Sequence, residues 1–349
     1  FSDGASGLLL RLSIPGTGPH SEPLPVDGFG TQLQTKSIFG GMPEGRLEVN
    51  YIEQIVAFVD GTQVSLRQPQ YQITDTYQPL PAGILTSPRN APPVFGLGLL
   101  EAIPESDLLV LADEQDTNGD GISGKPNYAW DIARQQMKLG RFGWKAANPS
   151  LAQQTADAFH QDMGVTSAFY FPVEHCESQA NCTAGIGPAP DISRDFVDLT
   201  AFYSQSLGVP APRGFDQTDV QQGRRLFLAL NCAACHVPAH TTGIHPLPEL
   251  SGQVIYPYTD LLLHDMGDGL ADGRPDHAAN GREWRTPPLW GIGLTQIVNP
   301  KATFLHDGRA RTLEEAILWH DGEGAIAKEK YRKLSKQDRN RLIRFLESL

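Results

Sequence analysis

The 349-residue sequence has no apolar run that approaches the roughly 20 residues a membrane-spanning helix needs. It also lacks an excess of basic residues, because 28 Lys and Arg stand against 40 Asp and Glu and give a formal net charge of −12. So acidic a chain disfavours nucleic acid and anionic membrane surfaces as partners. The length predicts two domains, and 40% hydrophobic residues supply enough apolar material for a sizeable core.

Cysteine is scarce, with four in the whole chain and none before Cys176. Two of the four, Cys232 and Cys235, are separated by two residues and followed directly by His236. C-x-x-C-H is the attachment signature of a c-type haem, in which two thiols bind the porphyrin and the imidazole lies under the iron. A zinc site would need a second Cys or His pair at suitable spacing, and none is obvious. We therefore predict a covalent haem c at this motif.

The other two cysteines, Cys176 and Cys182, lie close together in a polar stretch that favours a local disulfide, with a redox-active dithiol as the alternative. Haem attachment to C-x-x-C-H normally takes place outside the cytoplasm, yet no signal peptide is present. We interpret the numbered chain as processed or partial at its N-terminus, and predict a periplasmic or otherwise exported protein.

A repeat organises the chain, because residues 91–99 and 286–294 share a Pro-Pro-x-aromatic-Gly-x-Gly-Leu pattern. A helix is predicted downstream of each copy, near Ser150 and from Thr312, where Thr-Leu-Glu-Glu has the form of a capping box. We predict two copies of one module, at residues 1–207 and 215–349, joined by a Pro/Gly-rich linker. Alternating residues between about 46 and 79 predict a small β insertion in the first module.

Only the second module carries a C-x-x-C-H motif. Either the first module has lost its haem, or its haem-binding segment precedes Phe1. We favour the second interpretation, and expect two haems in the full-length protein.

Acidic and amide side chains alternate along residues 116–120, and Gly121 allows the sharp turn of an EF-hand-type loop. The twelfth position is Asn127 instead of the usual Glu, so the loop needs further ligands. We predict a structural Ca²⁺, with a plain Asp/Gly turn as the alternative. The predicted ligands are Asp113, Asp116, Asn118, Asp120 and the carbonyl of Ile122.

Six motifs spread over nearly the whole chain occupy residues 96–102, 140–146, 232–238, 258–266, 283–290 and 305–310. Together they resemble the bacterial di-haem cytochrome c peroxidase and MauG superfamily, and most of all its thiol-oxidoreductase-like di-haem oxidoreductase branch. The resemblance implies a mainly α fold of two cytochrome c-type domains with long loops. It also implies an inter-domain calcium and a periplasmic oxidoreductase in which one haem handles electrons and the other meets peroxide.

Family peroxidases bind the electron-transfer haem through a Met that is replaced here by Leu305, which cannot ligate iron. The candidate sixth ligands are His320, on the following helix, and His306, beside the vacant place, with an open site as the alternative to both. Two His ligands would give the haem a lower potential than His and Met.

In the first module the resemblance makes Trp144 the candidate electron relay between the haems, with a core aromatic residue as the alternative. It also implies that Gln154 and Asp162 assist proton transfer to peroxide. Asp162 stands where the family has Glu, with a side chain one methylene shorter.

The leading hypothesis is a di-haem oxidoreductase that reduces peroxide or a related oxidant with electrons exchanged with a small redox protein. The alternatives are a non-catalytic electron-transfer cytochrome and a MauG-like enzyme that oxidises a partner protein. Homodimer formation stays open.

Overall fold

The computed structural model describes residues 7–37, 41–172 and 187–349. The strands in these ranges are β1 (Leu8–Thr17), β2 (Pro23–Leu24), β3 (Arg46–Ala57), β4 (Gln63–Thr74), β5 (Leu85–Asn90), β6 (Tyr128–Asp131), β7 (Gln136–Leu139), β8 (His240–Thr241), β9 (Val254–Ile255), β10 (Leu263–Asp265) and β11 (Glu283–Arg285). The helices are α1 (Leu97–Glu101), α2 (Glu105–Leu109), α3 (Leu151–Met163), α4 (Arg194–Ser206), α5 (Thr218–Ala229), α6 (Thr295–Val298), α7 (Leu313–Trp319), α8 (Ala325–Arg332) and α9 (Lys336–Ser348).

The mainly α fold class is wrong, because 28% of the chain is helical and 22% lies in strands. Strands β2, β1 and β5 form a three-stranded antiparallel sheet, and β3 pairs with β4 in a hairpin of 12 residues on each side. Leu10 and Leu12 alternate along β1 and bury one face of its sheet. Strands β1 and β5 were not predicted, because the family motifs that implied helices do not cover these segments.

Side-chain caps start helices α3, α4, α7 and α9, where the sequence places Ser or Thr. Ser150 and Thr312 accept hydrogen bonds from the backbone N–H three residues onward, which fixes the first turns of α3 and α7. Helix α9 buries Leu342 and Phe345 against the core and packs on α5. Gly223 makes this crossing close, because a Cβ there would lie 2.0 Å from the carbonyl oxygen of Arg341.

The two copies of the repeat pack against each other. Gly96 and Gly291 both have left-handed backbone conformations, with φ of +73° and +72°. A Cβ on Gly96 would lie 2.5 Å from the Trp290 ring, and a Cβ on Gly291 would lie 2.5 Å from the Phe95 ring. Each copy therefore needs its glycine to receive the aromatic residue of the other.

The same glycines place α4 and α9 in equivalent positions. The N–H of Gly96 donates to the Leu207 carbonyl at 2.8 Å, just after α4, and that of Gly291 donates to the Leu349 carbonyl at 2.9 Å, just after α9. The repeat thus anchors the end of one 13-residue helix in each half of the chain. The module boundaries themselves stay a prediction.

Cys176 and Cys182 lie outside the described residues, so their disulfide also stays a prediction. Among the described helices, none has the length and apolar character to cross a membrane.

Candidate haem and redox site

Helix α5 delivers the C-x-x-C-H motif to the core. The chain leaves α5 through Asn231, whose left-handed backbone (φ 70°) starts a 3₁₀ turn over Cys232–Ala234. Cys232 packs against the largest apolar cluster of the described residues, and burial raises the pKa of its thiol to about 12. The N–H of His236 donates to the Cys232 carbonyl at 3.0 Å, which holds both ends of the motif in one turn.

His236 is held as a neutral imidazole with one nitrogen free. Its Nδ1 lies 3.0 Å from the carbonyl oxygen of Tyr258, and because a carbonyl only accepts hydrogen bonds, Nδ1 carries the proton. Burial, with a smaller contribution from His320, lowers the pKa of His236 to about 4. Nε2 is therefore unprotonated at neutral pH and offers a free electron pair, which is the form of histidine that binds metals.

His320, the residue directly after α7, lies near His236. Its Nδ1 is 2.8 Å from the Ala316 carbonyl oxygen, so the same tautomer leaves Nε2 free. The two ring centres are 6.4 Å apart. An imidazole nitrogen binds a metal ion at about 2.0–2.1 Å, and the centre of its ring lies about 1.1 Å beyond that nitrogen. Two imidazoles that bind one ion from opposite sides therefore have ring centres about 6.2–6.4 Å apart. The pair has the spacing of two axial ligands on one ion.

His306, the second predicted candidate, packs elsewhere. It is 3% exposed, stacks on Trp284 with ring centres 3.7 Å apart, and meets Trp144 edge-on at 6.3 Å. Burial lowers its pKa to about 4, so the ring is neutral. The imidazole ring that faces His236 is therefore that of His320.

The three predicted catalytic residues of the first module line one cavity of about 910 Å³. Trp144 forms part of its wall, and Gln154 and Asp162 project from α3. Asp162 lies at the exposed rim, where partial desolvation raises its pKa and its Oδ1 accepts a hydrogen bond from Gln32 at 3.0 Å. This volume is within the about 300–1,000 Å³ typical of ligand and cofactor cavities.

Two buried arginines that were not predicted, Arg274 and Arg285, line the cavity wall. Arg285 donates to the carbonyls of Gly143 and Thr286, and burial lowers its pKa to about 10. Arg274 is buried with its Nε lacking a hydrogen-bond partner among the described residues. Guanidinium groups held in this way suit the carboxylates of a ligand.

His277 also lines the cavity and was not predicted. Its Nδ1 lies 3.2 Å from the His20 carbonyl oxygen, so Nε2 is again the free nitrogen. The His20 ring stacks on Trp130 at 3.7 Å. The roles of His20 and His277 could not be predicted from the sequence, because their contacts come from segments far apart in the chain.

The predicted calcium loop is closed by its own side chains. Asp113 accepts hydrogen bonds from Thr117 and Asn118, and the side chains of Asp116, Asn118 and Asp120 accept from loop N–H groups. Asn127, at the twelfth position, is buried and donates to the carbonyls of Lys145 and Asp276. The calcium site stays a prediction.

A buried charged network adjoins the haem motif. His264 lies between Asp260, at 2.8 Å from Nε2, and Glu323, at 2.6 Å from Nδ1. Burial lowers the pKa of His264, but Asp260 and Cys235 outweigh burial and raise it well above the ordinary value. Cys235 Sγ is 3.5 Å from the same Nδ1. Within the described ranges, Cys235, Asp260 and His264 are the side chains whose ligand atoms gather within 4.8 Å of one another.

Glu323 extends this network to the predicted calcium loop. It accepts hydrogen bonds from the N–H and hydroxyl of Ser123 and from the N–H of Asp265. These bonds and His264 overcome the effect of burial and lower the pKa of Glu323 to about 2. Glu323 therefore ties the turn after His320 to the first half of the chain.

The family model described as di-haem oxidoreductase, putative peroxidase, matches residues 17–349. The chain therefore belongs to the di-haem oxidoreductase family, as its motifs predicted. Comparison with curated proteins and with solved structures gave no match.

Proposed function

We propose that this chain is an exported, periplasmic c-type oxidoreductase that passes electrons between two haems to reduce peroxide or a related small oxidant. The observation that carries the proposal is the His236–His320 pair, 6.4 Å apart beside two half-buried cysteines. Two thiols and two neutral imidazoles suit a covalently attached haem. When bound, the haem supplies an iron that gains and loses single electrons.

Cys232 and Cys235 would hold the porphyrin through thioether bonds, and His236 and His320 would bind its iron. The Tyr258 and Ala316 carbonyls orient the two rings and raise their basicity by accepting the Nδ1 protons. Cys235 is then no thiolate ligand, so the nearby Asp260–His264 pair serves as a charged hydrogen-bond network instead of a metal site. Two His ligands leave no position for substrate, which suits electron transfer.

The second haem would lie in the cavity of about 910 Å³. Arg285 and Arg274 would bind its propionates, and the unpartnered Nε of Arg274 supports this assignment. His277, with its free Nε2, is the candidate axial ligand on this wall. Gln154 and Asp162 would hold and move protons at peroxide, since the raised pKa of Asp162 suits a group that both gives and takes a proton.

The exposed face of α4 gives independent support for a second haem-bearing segment. Because Leu207 and Leu349 occupy equivalent places, α4 and α9 align residue by residue. The residues of α9 that meet α5 are Arg341, Arg344 and Phe345, and their equivalents in α4 are Leu199, Phe202 and Tyr203. These three are 67%, 50% and 62% exposed. We propose that a helix of the α5 type, followed by a haem-attachment motif, covers this face.

One observation favours a second candidate function, that of an electron-transfer cytochrome without catalysis. The His236 and His320 rings, with centres 6.4 Å apart, would both bind the C-terminal haem and keep small oxidants away from it. We also propose that the partner is a small redox protein, and that Ca²⁺ binds the Asp116–Asp120 loop with a structural role.

The test is to count haems in the full-length protein by intact mass and pyridine haemochrome, and then to measure peroxide-dependent oxidation of a reduced small cytochrome. Two haems and turnover are expected, and Asp162→Asn should lower turnover sharply. Asp157→Asn is the matched control, since Asp157 lies on the same helix and lines the same cavity. Two low-spin haems without turnover would favour the carrier.

A further inference from the structure

The loop before α7 has a counterpart before α3 with the same backbone pattern. Phe304 and Ala310 form an isolated antiparallel bridge in the loop before α7, and Phe142 and Asn148 form one in the loop before α3. The N–H of each phenylalanine donates to its partner's carbonyl, at 2.8 Å for Phe304 and 3.0 Å for Phe142, and the partner's N–H donates back at 3.4 and 3.3 Å. The two bridges enclose the same number of residues, so the loops can be aligned residue by residue.

The residues inside the two loops agree as well. Leu305 and Gly143, which directly follow the phenylalanines, both have left-handed backbones, with φ of 71° and 80°. Their carbonyls accept hydrogen bonds from the N–H groups of Gly308 and Ala146, at 3.3 Å in both loops. Gly308 and Ala146 are left-handed too, with φ of 73° and 50°. Because left-handed backbone is uncommon outside glycine, these matched pairs show that the loops are equivalent.

Each loop is bonded to the repeat copy of the other half of the chain. The N–H of Asn90, just before the first copy, donates to the His306 carbonyl at 2.5 Å. The N–H of Arg285, just before the second copy, donates to the Trp144 carbonyl at 2.8 Å. His306 and Trp144 are themselves counterparts in the aligned loops. The two halves therefore exchange equivalent hydrogen bonds.

Side-chain caps carry the alignment into the helices. Thr312 caps α7 and Ser150 caps α3, and each of them lies two residues after its bridge. Counting along both helices from these caps pairs His320, directly after α7, with Ala158 in α3. His320 and Ala158 therefore occupy equivalent places in the two halves.

These places hold large side chains in the second half and small ones in the first. His320 lies near His236, with ring centres 6.4 Å apart, and would bind the C-terminal haem. Ala158 lines the cavity proposed for the second haem, and so does Gly143, the counterpart of Leu305. A methyl group and a hydrogen atom thus stand where the second half has an imidazole and an isobutyl group, which leaves space beside α3.

The polar groups beside Ala158 suit a small ligand. Gln154 lies four residues before it and Asp162 four residues after it, so all three share one face of α3, and all three line the cavity. The histidine of this helix, His160, is two residues from Ala158 and lies on another face, where its ring stacks on Phe171 with centres 4.8 Å apart. An amide and a carboxyl group can hydrogen-bond a ligand of a few oxygen or nitrogen atoms.

We propose that Ala158 is a specificity-determining residue, which reserves the cavity site for a small oxidant by offering the haem no ligand where His320 offers one. This inference rests on the proposed di-haem function. A methyl group cannot bind a metal, so the place beside α3 stays free for a peroxide-sized molecule between Gln154 and Asp162. The difference between the two haem sites then depends on one pair of equivalent residues.

The test follows the spin states of the oxidised di-haem holoprotein by absorbance and electron paramagnetic resonance, with cyanide as the small-ligand probe. Wild type should have one high-spin haem, which cyanide converts to low-spin, and one low-spin haem that cyanide leaves unchanged. Ala158→His supplies the missing imidazole, so both haems should be low-spin and the affinity for cyanide should fall by an order of magnitude or more.

Thr155→His is the matched control and should keep the high-spin haem and the wild-type affinity for cyanide. Thr155 lies on the same helix and lines the same cavity, but its counterpart is Ile317, which packs on the apolar core. Ala158→Leu covers the case in which Ala158→His does not fold. Leucine fills the place without binding a metal, so the haem should stay high-spin while cyanide binds an order of magnitude more weakly.

Equal spin states and cyanide affinities in Ala158→His and Thr155→His, or wild-type affinity in Ala158→Leu, would overturn the role of Ala158 and leave the di-haem function standing. A wild type with two low-spin haems that cyanide leaves unchanged would also overturn it, in favour of the electron-transfer cytochrome. A full-length protein with a single haem would overturn both this inference and the proposed function.

Discussion

Replacing His320 by Ala tests the axial ligation directly. The variant removes the ring that lies 6.4 Å from His236 and leaves the Ala316 carbonyl without its donor. With His236 as the remaining ligand, we expect the C-terminal haem to change from low-spin to high-spin. Wild type should lack the absorption band at about 695 nm that marks Fe–Met bonding, because two His ligands would leave no position for a Met.

The midpoint potential should rise in the same variant. Imidazole stabilises ferric over ferrous iron, and each tenfold of that preference corresponds to about 59 mV in a one-electron couple. We expect an upward shift of about 100–200 mV, a modest part of the about 0.8 V that axial ligands span in haem proteins.

Met266 makes a second variant necessary. A Cβ built on Gly324 would lie 3.2 Å from His320 Cδ2 and 3.4 Å from Met266 Cε, so the thioether is close to the vacated position. The double variant His320→Ala/Met266→Leu removes this replacement ligand and should be fully high-spin. His306→Phe is the control and should stay low-spin, because His306 stacks on Trp284 instead of facing His236. A low-spin double variant with an unchanged potential would refute His320 as the ligand.

Three further predictions concern stability and the calcium loop. Hydrogen bonds lower the pKa of Glu323 from 4.5 to about 2, so its contribution to stability should be complete above pH 4.5 and be lost as the pH falls through 2. Glu323→Gln should flatten this acid dependence in thermal unfolding. Gly223→Ala should destabilise the fold by at least about 1–3 kcal/mol in urea unfolding, because its Cβ would lie 2.0 Å from the Arg341 carbonyl oxygen, whereas Gly208→Ala, with nothing within 4 Å, should be nearly neutral. The purified holoprotein should contain Ca²⁺ by elemental analysis and lose it in an Asp116→Ala/Asp120→Ala variant, and a wild type without calcium after dialysis against Ca²⁺ would contradict the loop assignment.

Features decided within one turn of chain could be read from the sequence. The C-x-x-C-H motif is such a feature, because the spacing of Cys232, Cys235 and His236 fixes their relative positions whatever surrounds them. The caps at Ser150 and Thr312 are local for the same reason, and the helices after them start where predicted. The repeat was visible because both copies need glycine where an aromatic residue from the other copy packs.

Strand pairing and the composition of the sites were decided by tertiary structure. Strand β1 pairs with β5 across most of the first hundred residues, and its alternation of Leu10 and Leu12 has meaning only beside that partner. His306 and His320 could not be ranked from spacing, because their surroundings come from segments far apart in the chain. The His306 ring stacks on Trp284, whereas His320, directly after α7, lies beside His236. Contacts over such distances depend on which surfaces the folded core brings together, and no periodicity in the sequence records them.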